Sequence, residues 1–346
     1  MTQRDPAPPP APSDAEPAPI LVDPNPPSRV DAGQGHDAAR PTEIPPEGWL
    51  PILRRAWTAL TDNALWVHCG CVGFFGFLSI FPVLAVFVLI YGLLFDPGDI
   101  EGQLGGLRPL VPAAVYDVLL GRLADLAANS TQDLSLGLAV SLTIAMWSGS
   151  RGLNAVIDLL NVSYHEPVPR SLVVRALTAV GLTIGALIGL VVVLLTVAAV
   201  PLVLARLPLA DETARLALWG RWPVLTAFVF GGLMLLYRMA PNRRPAKFRW
   251  IAPGAALATV LWIALSIAFS AYVERSEFYG ATFGTLSAAA VLMLWIYYSA
   301  LAIGLGGILN AEIELQTRRD STRGPDRPRG RRGAVVADRL PRPRDG

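Results

Sequence analysis

Charge is scarce in this chain, and lysine is nearly absent. Asp, Glu, Lys and Arg make up 16% of its 346 residues, against about 25% in soluble domains. Lys247 is the sole lysine among 29 basic residues, and the formal charge of +2 points to no polyanionic partner. Cysteine is limited to Cys69 and Cys71, two apart in an apolar run. Helical neighbours at that spacing point away from each other, which argues against a shared metal or a disulfide. Histidine is limited to His36, His68 and His165. No HxxH, HExxH, CxxC, P-loop or GxSxG pattern is present. The expectation is therefore no catalytic residue, no metal and no cofactor, with His165 beside Glu166 serving as a loop contact.

What the chain has instead is apolar length. Hydrophobic residues make up 53%, with a mean hydropathy of +0.44. Segments 63–95, 176–205, 250–273 and 278–311 contain no Asp, Glu, Lys or Arg, and a helix of roughly 20 such residues crosses a bilayer. Two shorter runs become spans when extended, 222–237 back to about residue 216 and 134–150 on past Arg151. The predicted fold is all-α, a polytopic bundle of six transmembrane helices over about 65–95, 134–157, 175–205, 216–238, 251–273 and 284–311. Residues 1–46 and 317–346, rich in Pro, Asp, Arg and Gly, read as disordered tails flanking a membrane domain over 47–316.

Basic residues in the short loops set the orientation. With six spans, Arg54, Arg55, Arg170, Arg175, Arg238, Arg243, Arg244, Lys247, Arg249 and the Arg-rich tail share one side. That predicts a multi-pass protein of the plasma (inner) membrane with both termini cytoplasmic. The N-terminus lacks the basic start and short apolar core of a signal peptide. Two amphipathic stretches read as interfacial helices. One places Trp49, Leu53, Ala56, Trp57 and Leu60 on one face; the other, over 111–128, either floats on the outer leaflet or caps the bundle.

Within the spans, Gly181, Gly185 and Gly189 form a small-xxx-small face for close helix packing, inside the chain or with a second copy. Pro82 removes a backbone donor and is expected to bend the first span. Around the second span, Trp147, Arg151, Asn154, Asp158 and Asn161 fall within an arc of about 80°. Arg151 and Asp158 are about 10 Å apart along the axis and cannot pair directly. Either Asn154 bridges them or each meets another helix. Counting about 26 Å from Leu134 puts Arg151 near the inner headgroups. Two readings stay open: a snorkelling rim residue, or part of a polar lining with Trp147, Asn154 and Asp158. At the end of the last span the acidic Glu312 and Glu314 oppose the helix dipole; either an Arg partner answers them, from Arg151 or from the loop 238–249, or the helix end is simply hydrated. Asn310 and Glu312 extend the candidate polar lining to this inner end.

Several stretches resemble one family. "FFGFLSIFPVLAVFVLIYGLL", "WSGSRGLNAVIDLLNVSYHEPVPRS", "YRMAPNRRPAKFRWIAPGAALATVLWIALSIAFSAYV" and "YGATFGTLSAAAVLMLWIYYSALAIGLGGILNAEIE" follow the order seen in the YihY/BrkB integral membrane proteins, formerly labelled ribonuclease BN. The resemblance covers roughly residues 48–315 and implies six spans with cytoplasmic ends. One run departs from the family's usual Gly-Ala-Glu-Leu-Asn: here Gly306, Gly307, Ile308, Leu309 and Asn310 leave out the acidic residue, and Glu312 is the nearest substitute. The expected partners are membrane lipids, a lipid-like or amphiphilic solute, and a second copy through the Gly181, Gly185 and Gly189 face, with no specific nucleic acid. The leading expectation is a transporter or exporter of such a solute. A non-transporting envelope scaffold is the alternative, and a membrane-bound nuclease a distant third.

Overall fold

The computed structural model describes residues 34–94, 131–166, 171, 173–186, 188–189, 192, 211–275 and 285–339. Helix α1 runs Pro46–Leu60, α2 Asn63–Leu94 and α3 Thr131–Ser163. The apolar helix α4 covers Val173–Ala186. Then come α5 (Asp211–Met239), α6 (Phe248–Arg275), α7 (Thr285–Gln316) and a final turn, α8 (Val335–Asp338). Among the described residues there is no strand, only an isolated bridge between Ala246 and Thr322. Three stretches are long and apolar enough to cross a membrane: Trp222–Met239, Phe248–Ala271 and Ala289–Gln316. Asn63–Ser79 and Val173–Ala186 are shorter apolar helices. The helix expected over 111–128 and the side-chain surroundings of Pro82 lie outside the described residues.

Local chemistry sets the corners. Pro46 sits in the first turn of α1, where a missing N–H costs nothing. Asp62 Oδ1 accepts the amide of Ala64 at 2.9 Å and caps the start of α2. The Trp66 indole donates to the Leu60 carbonyl at 2.8 Å, which fixes the angle between α1 and α2. The face of α1 differs from the expected one. Ile52 is buried and Ala56 and Leu60 half-buried against the bundle, while Leu50, Leu53 and Trp57 (70% exposed) point outward.

Helix α7 is the centre, packing against α1, α2, α3, α6 and α8, while α5 packs on α6. Among the described residues a buried core lies near the C-terminal end of α7. There Leu65, Cys69, Leu159, Leu160, Ile308 and Ala311 are buried together. Cys71, by contrast, is exposed, as the two-residue spacing requires. Small residues permit the closest approach. A Cβ on Gly254 of α6 would collide with the Gly306 carbonyl and the Asn310 amide, and one on Gly306 would strike the Gly254 carbonyl and Tyr237 Oη. The expected glycine face behaves differently. Among the described residues a Cβ on Gly181 or Gly185 meets nothing, and one on Gly189 meets only the Phe228 ring, at 3.2 Å.

Part of both expected tails is folded, which corrects the reading of 317–346 and 1–46 as disordered throughout. The amide of Arg318 donates to the His36 carbonyl at 2.7 Å, and the Thr317 hydroxyl donates to the Ala38 carbonyl at 2.7 Å. His36 Nδ1 meets the Gln316 carbonyl at 2.9 Å. The Arg332 guanidinium donates to the carbonyls of Arg318, Arg319, Arg327 and Ala337. Asp320 accepts from the Thr322 amide, the Thr322 hydroxyl and the Arg327 amide. Burial alone would raise the Asp320 carboxyl, but these donors outweigh it and hold the group below its ordinary value. Composition misjudged this segment because it needs no core of its own. It satisfies its main chain with its own Arg and Asp while lying on the end of a bundle that already exists.

Gly254→Ala is expected to cost about 1–3 kcal/mol through overpacking at the α6–α7 crossing. The measurement is the thermal unfolding midpoint in detergent, with Gly181→Ala as the control that changes it little. Equal shifts for the two would refute the assignment of the tight crossing.

Candidate functional site

The end of α7 carries two acidic side chains inside the protein. Glu312 and Glu314 sit at the helix C-terminus, where the backbone dipole repels them, so each needs a cation. Glu312 receives Arg55 of α1, Nε to Oε2 at 2.6 Å. The same guanidinium also donates through Nη2 to the Glu312 carbonyl and Gln316 Oε1, at 3.1 and 2.9 Å. His165 Nε2 lies 3.4 Å from Glu312 Oε1, and its left-handed backbone (φ 56) turns the chain out of α3. Glu314 is fully buried and takes Arg243 Nη2 on Oε2 at 2.5 Å, with the Ser321 hydroxyl at 2.7 Å on the same oxygen. The loop thus supplies the Arg partner of Glu314, and Arg151 supplies neither. Arg55 was missed because nothing local connects it to residues more than 250 positions away.

The Arg243 guanidinium stacks over the Tyr164 ring at 5.0 Å. Burial alone would lower this group, but the adjacent Glu314 carboxylate reverses the effect and holds its pKa above the ordinary value. Asn310, one turn before Glu314, uses Oδ1 to accept the Gly254 amide at 2.7 Å. It therefore bonds across the α6–α7 crossing just described. Tyr164 Oη, Arg243 Nη1, Asn310 Nδ2 and Glu314 Oε1 are each buried without a protein partner. Glu166 is likewise occupied: burial pushes its carboxyl up, and Oε1 accepts the Val335 amide at 2.8 Å.

The stripe on α3 divides between two environments. Arg175, in the first turn of α4, joins its lower half. Arg175 Nε donates to Asn154 Oδ1 at 2.9 Å, and Nη2 reaches Asp158 Oδ2 at 2.7 Å. Asn161 Oδ1 accepts the Asn242 amide at 2.7 Å and anchors the loop between α5 and α6. These three residues hold α3 to α4 and to that loop. The upper half points away from the bundle. Arg151 is exposed and lies over the ring of its own helical neighbour Trp147, 5.7 Å from the centroid. Trp147 is itself 61% exposed. Together with Phe75 and Leu78 of α2 they line a cleft of about 290 Å³.

The level of Arg151 follows from what packs beside it. A Cβ on Gly152 would sit 3.8 Å from the backbone of Phe75 and Gly76, and one on Gly149 would sit 3.1 Å from Thr183. At 1.5 Å per residue, Gly76 is about 20 Å from the start of α2 and Thr183 about 15 Å from the start of α4. Arg151 is also about 10 Å above Asp158 on its own helix. It therefore lies about 10 to 20 Å along the bundle from the polar end.

Glu314→Leu alone leaves a buried guanidinium with no counter-charge, an expected loss of about 3–5 kcal/mol. Adding Arg243→Met is expected to recover most of that loss, because the native pair leaves one polar atom on each partner unsatisfied. Thermal unfolding of both single variants and the double one measures this. Strictly additive losses would mean that the two groups are not coupled.

Comparison with known proteins places the chain. The family model for virulence factor BrkB matches residues 56–331. The putative ribonuclease-like protein YfkH of Bacillus subtilis is 32% identical over 258 residues, covering 69% of this chain and 86% of that protein. A UPF0761 membrane protein of Pseudoalteromonas translucida is 22% identical over 80% of this chain and 89% of its own length. Another, from Idiomarina loihiensis, is 37% identical over 92 residues, 27% of this chain and 31% of that protein. No solved structure matches. The match spans α2 to α7, and the chain belongs to the BrkB (YihY) family of membrane proteins.

Proposed function

We propose that this protein crosses the plasma membrane six times, with both termini cytoplasmic, and moves a lipid-like or amphiphilic solute. The support for six crossings is a repeated return to one face. Residues 34–38 meet 317–318, the end of α3 meets the loop after α5, and that loop meets the end of α7. With the interfacial α1 set aside, each interval between these points holds two of the described helices, which supports an even count, and six fits. Arg55, Arg175, Arg243, Arg244 and Lys247 gather at that same end, the pattern of a cytoplasmic face. Beside it the outward Leu50, Leu53 and Trp57 of α1 form an apolar face suited to the headgroup boundary.

The observation that carries the transport reading is the place of Arg151. A hydrocarbon layer is about 30 Å thick; with the polar end taken as its inner boundary, the helix counts of about 10, 15 and 20 Å support a level for this exposed cation within it. An arginine at that depth costs about 2.5–3.5 kcal/mol on insertion scales, and such residues mark substrate paths. The sealed polar end supplies a rigid frame for that site. A nuclease reading draws no support from His165 and Glu166, since each is held by a structural partner, Glu312 and Val335. A scaffold remains the second reading, favoured by the open surface at Gly181 and Gly185.

Two measurements test these readings. In proteoliposomes, fluorescently labelled phosphatidylglycerol is expected to cross faster with the wild-type protein than in empty vesicles. Arg151→Ala should return the rate to the empty-vesicle level while the protein stays inserted, and Gly181→Leu should leave it unchanged. A wild-type rate equal to that of empty vesicles favours the scaffold. Separately, lipids brominated near the glycerol should quench Trp57 more than lipids brominated at the chain ends; the reverse order rejects an interfacial α1.

A further inference from the structure

We propose that the cleft between α2 and α3 is a binding site for an anionic, phosphate-bearing lipid. Its head meets the Arg151 guanidinium, and one acyl chain lies along Phe75, Leu78 and Trp147. The proposal rests on the transport reading for the depth of the site and names the class of solute held there.

The first argument is charge. Arg55, Arg175, Arg243 and Arg244 each face a carboxylate. Arg151 faces none among the described residues, and its contact is the Trp147 ring. A guanidinium on an apolar surface, surrounded by hydrocarbon, draws an anion to itself. A ring beneath one face of the guanidinium leaves its N–H edge open. Five donors in a planar fork match the clustered oxygens of a phosphate.

The second argument is shape. Three of the four lining side chains are apolar and one is cationic, so the cleft has the polarity of an amphiphile. Gly152 lets α3 approach the α2 backbone at Phe75 and Gly76, beside the cleft. A space of about 290 Å³ accommodates a head and part of one chain. The remainder of the lipid stays in the bilayer. Because Trp147 and Arg151 open outward, entry is lateral, from the membrane and not from water.

The test is binding, read apart from flux. The full-length protein is reconstituted with phosphatidylglycerol or phosphatidylcholine carrying brominated chains, and the quenching that disappears in Trp147→Phe is assigned to Trp147. Phosphatidylglycerol is expected to quench that component at a lower mole fraction than phosphatidylcholine. Arg151→Gln should weaken the preference about tenfold, the value of a lost charge-assisted contact, and Arg151→Lys should restore part of it. Equal quenching by the two lipids overturns the proposal, as does displacement of phosphatidylglycerol by inorganic phosphate, which would make a free anion the ligand. Selective binding with a wild-type flux no faster than that of empty vesicles rejects the transport reading and leaves the site standing. Lost flux without selective quenching rejects the lipid assignment and leaves transport standing.

Discussion

A carboxylate at the C-terminal end of a long apolar helix has to be neutralised, and the Arg243–Glu314 pair does this inside the protein. Much of the architecture near the end of α7 is arranged around that contact. The pair draws the loop between α5 and α6 down onto α7. The Tyr164 ring beneath the guanidinium ties in the end of α3, and the Ser321 hydroxyl ties in the segment after α7. Asn310, one turn earlier, locks α6 at the glycine crossing. A second pair, Arg55 with Glu312, repeats the device for α1. Two acidic residues that would weaken α7 as an isolated helix thus become the points where distant parts of the chain meet.

The two halves of the α3 stripe follow opposite rules. Asn154, Asp158 and Asn161 each accept a hydrogen bond from Arg175 or Asn242. Arg151 and Trp147, one turn further from the polar end, are turned outward beside an apolar cleft. The same division separates the packed small-residue crossing of Gly254 and Gly306 from the open one at Gly181 and Gly185.

The helical and apolar character of the chain could be read from the sequence because both are local properties. So could the opposed directions of Cys69 and Cys71, which depend only on helical spacing. The partners of Glu312 and Glu314 were readable only in part. The loop arginines stand out as a cluster, but Arg55 is indistinguishable from an ordinary interfacial residue until α1 folds back. The tight glycine crossing escaped notice for a related reason. Four-residue spacing advertises Gly181, Gly185 and Gly189, whereas Gly254 and Gly306 sit singly on two helices and are paired only by the crossing. The segment after α7 was misjudged because composition counts what a segment can bury. It does not count the carbonyls that one Arg332 can satisfy.

The contact between His36 and Arg318 bears on how the molecule is completed during synthesis. The carbonyl that receives the Arg318 amide belongs to a residue that leaves the ribosome early, and its partner to one that leaves late. Every intervening helix has to be in place before the two can meet, so this clasp is a seam of high contact order that closes late. A chain stopped before residue 316 keeps most of its apolar helices but leaves the carbonyls of His36 and Ala38 open at that end. The polar layer is in that sense a mark of completion, distinguishing a finished molecule from one that is merely inserted.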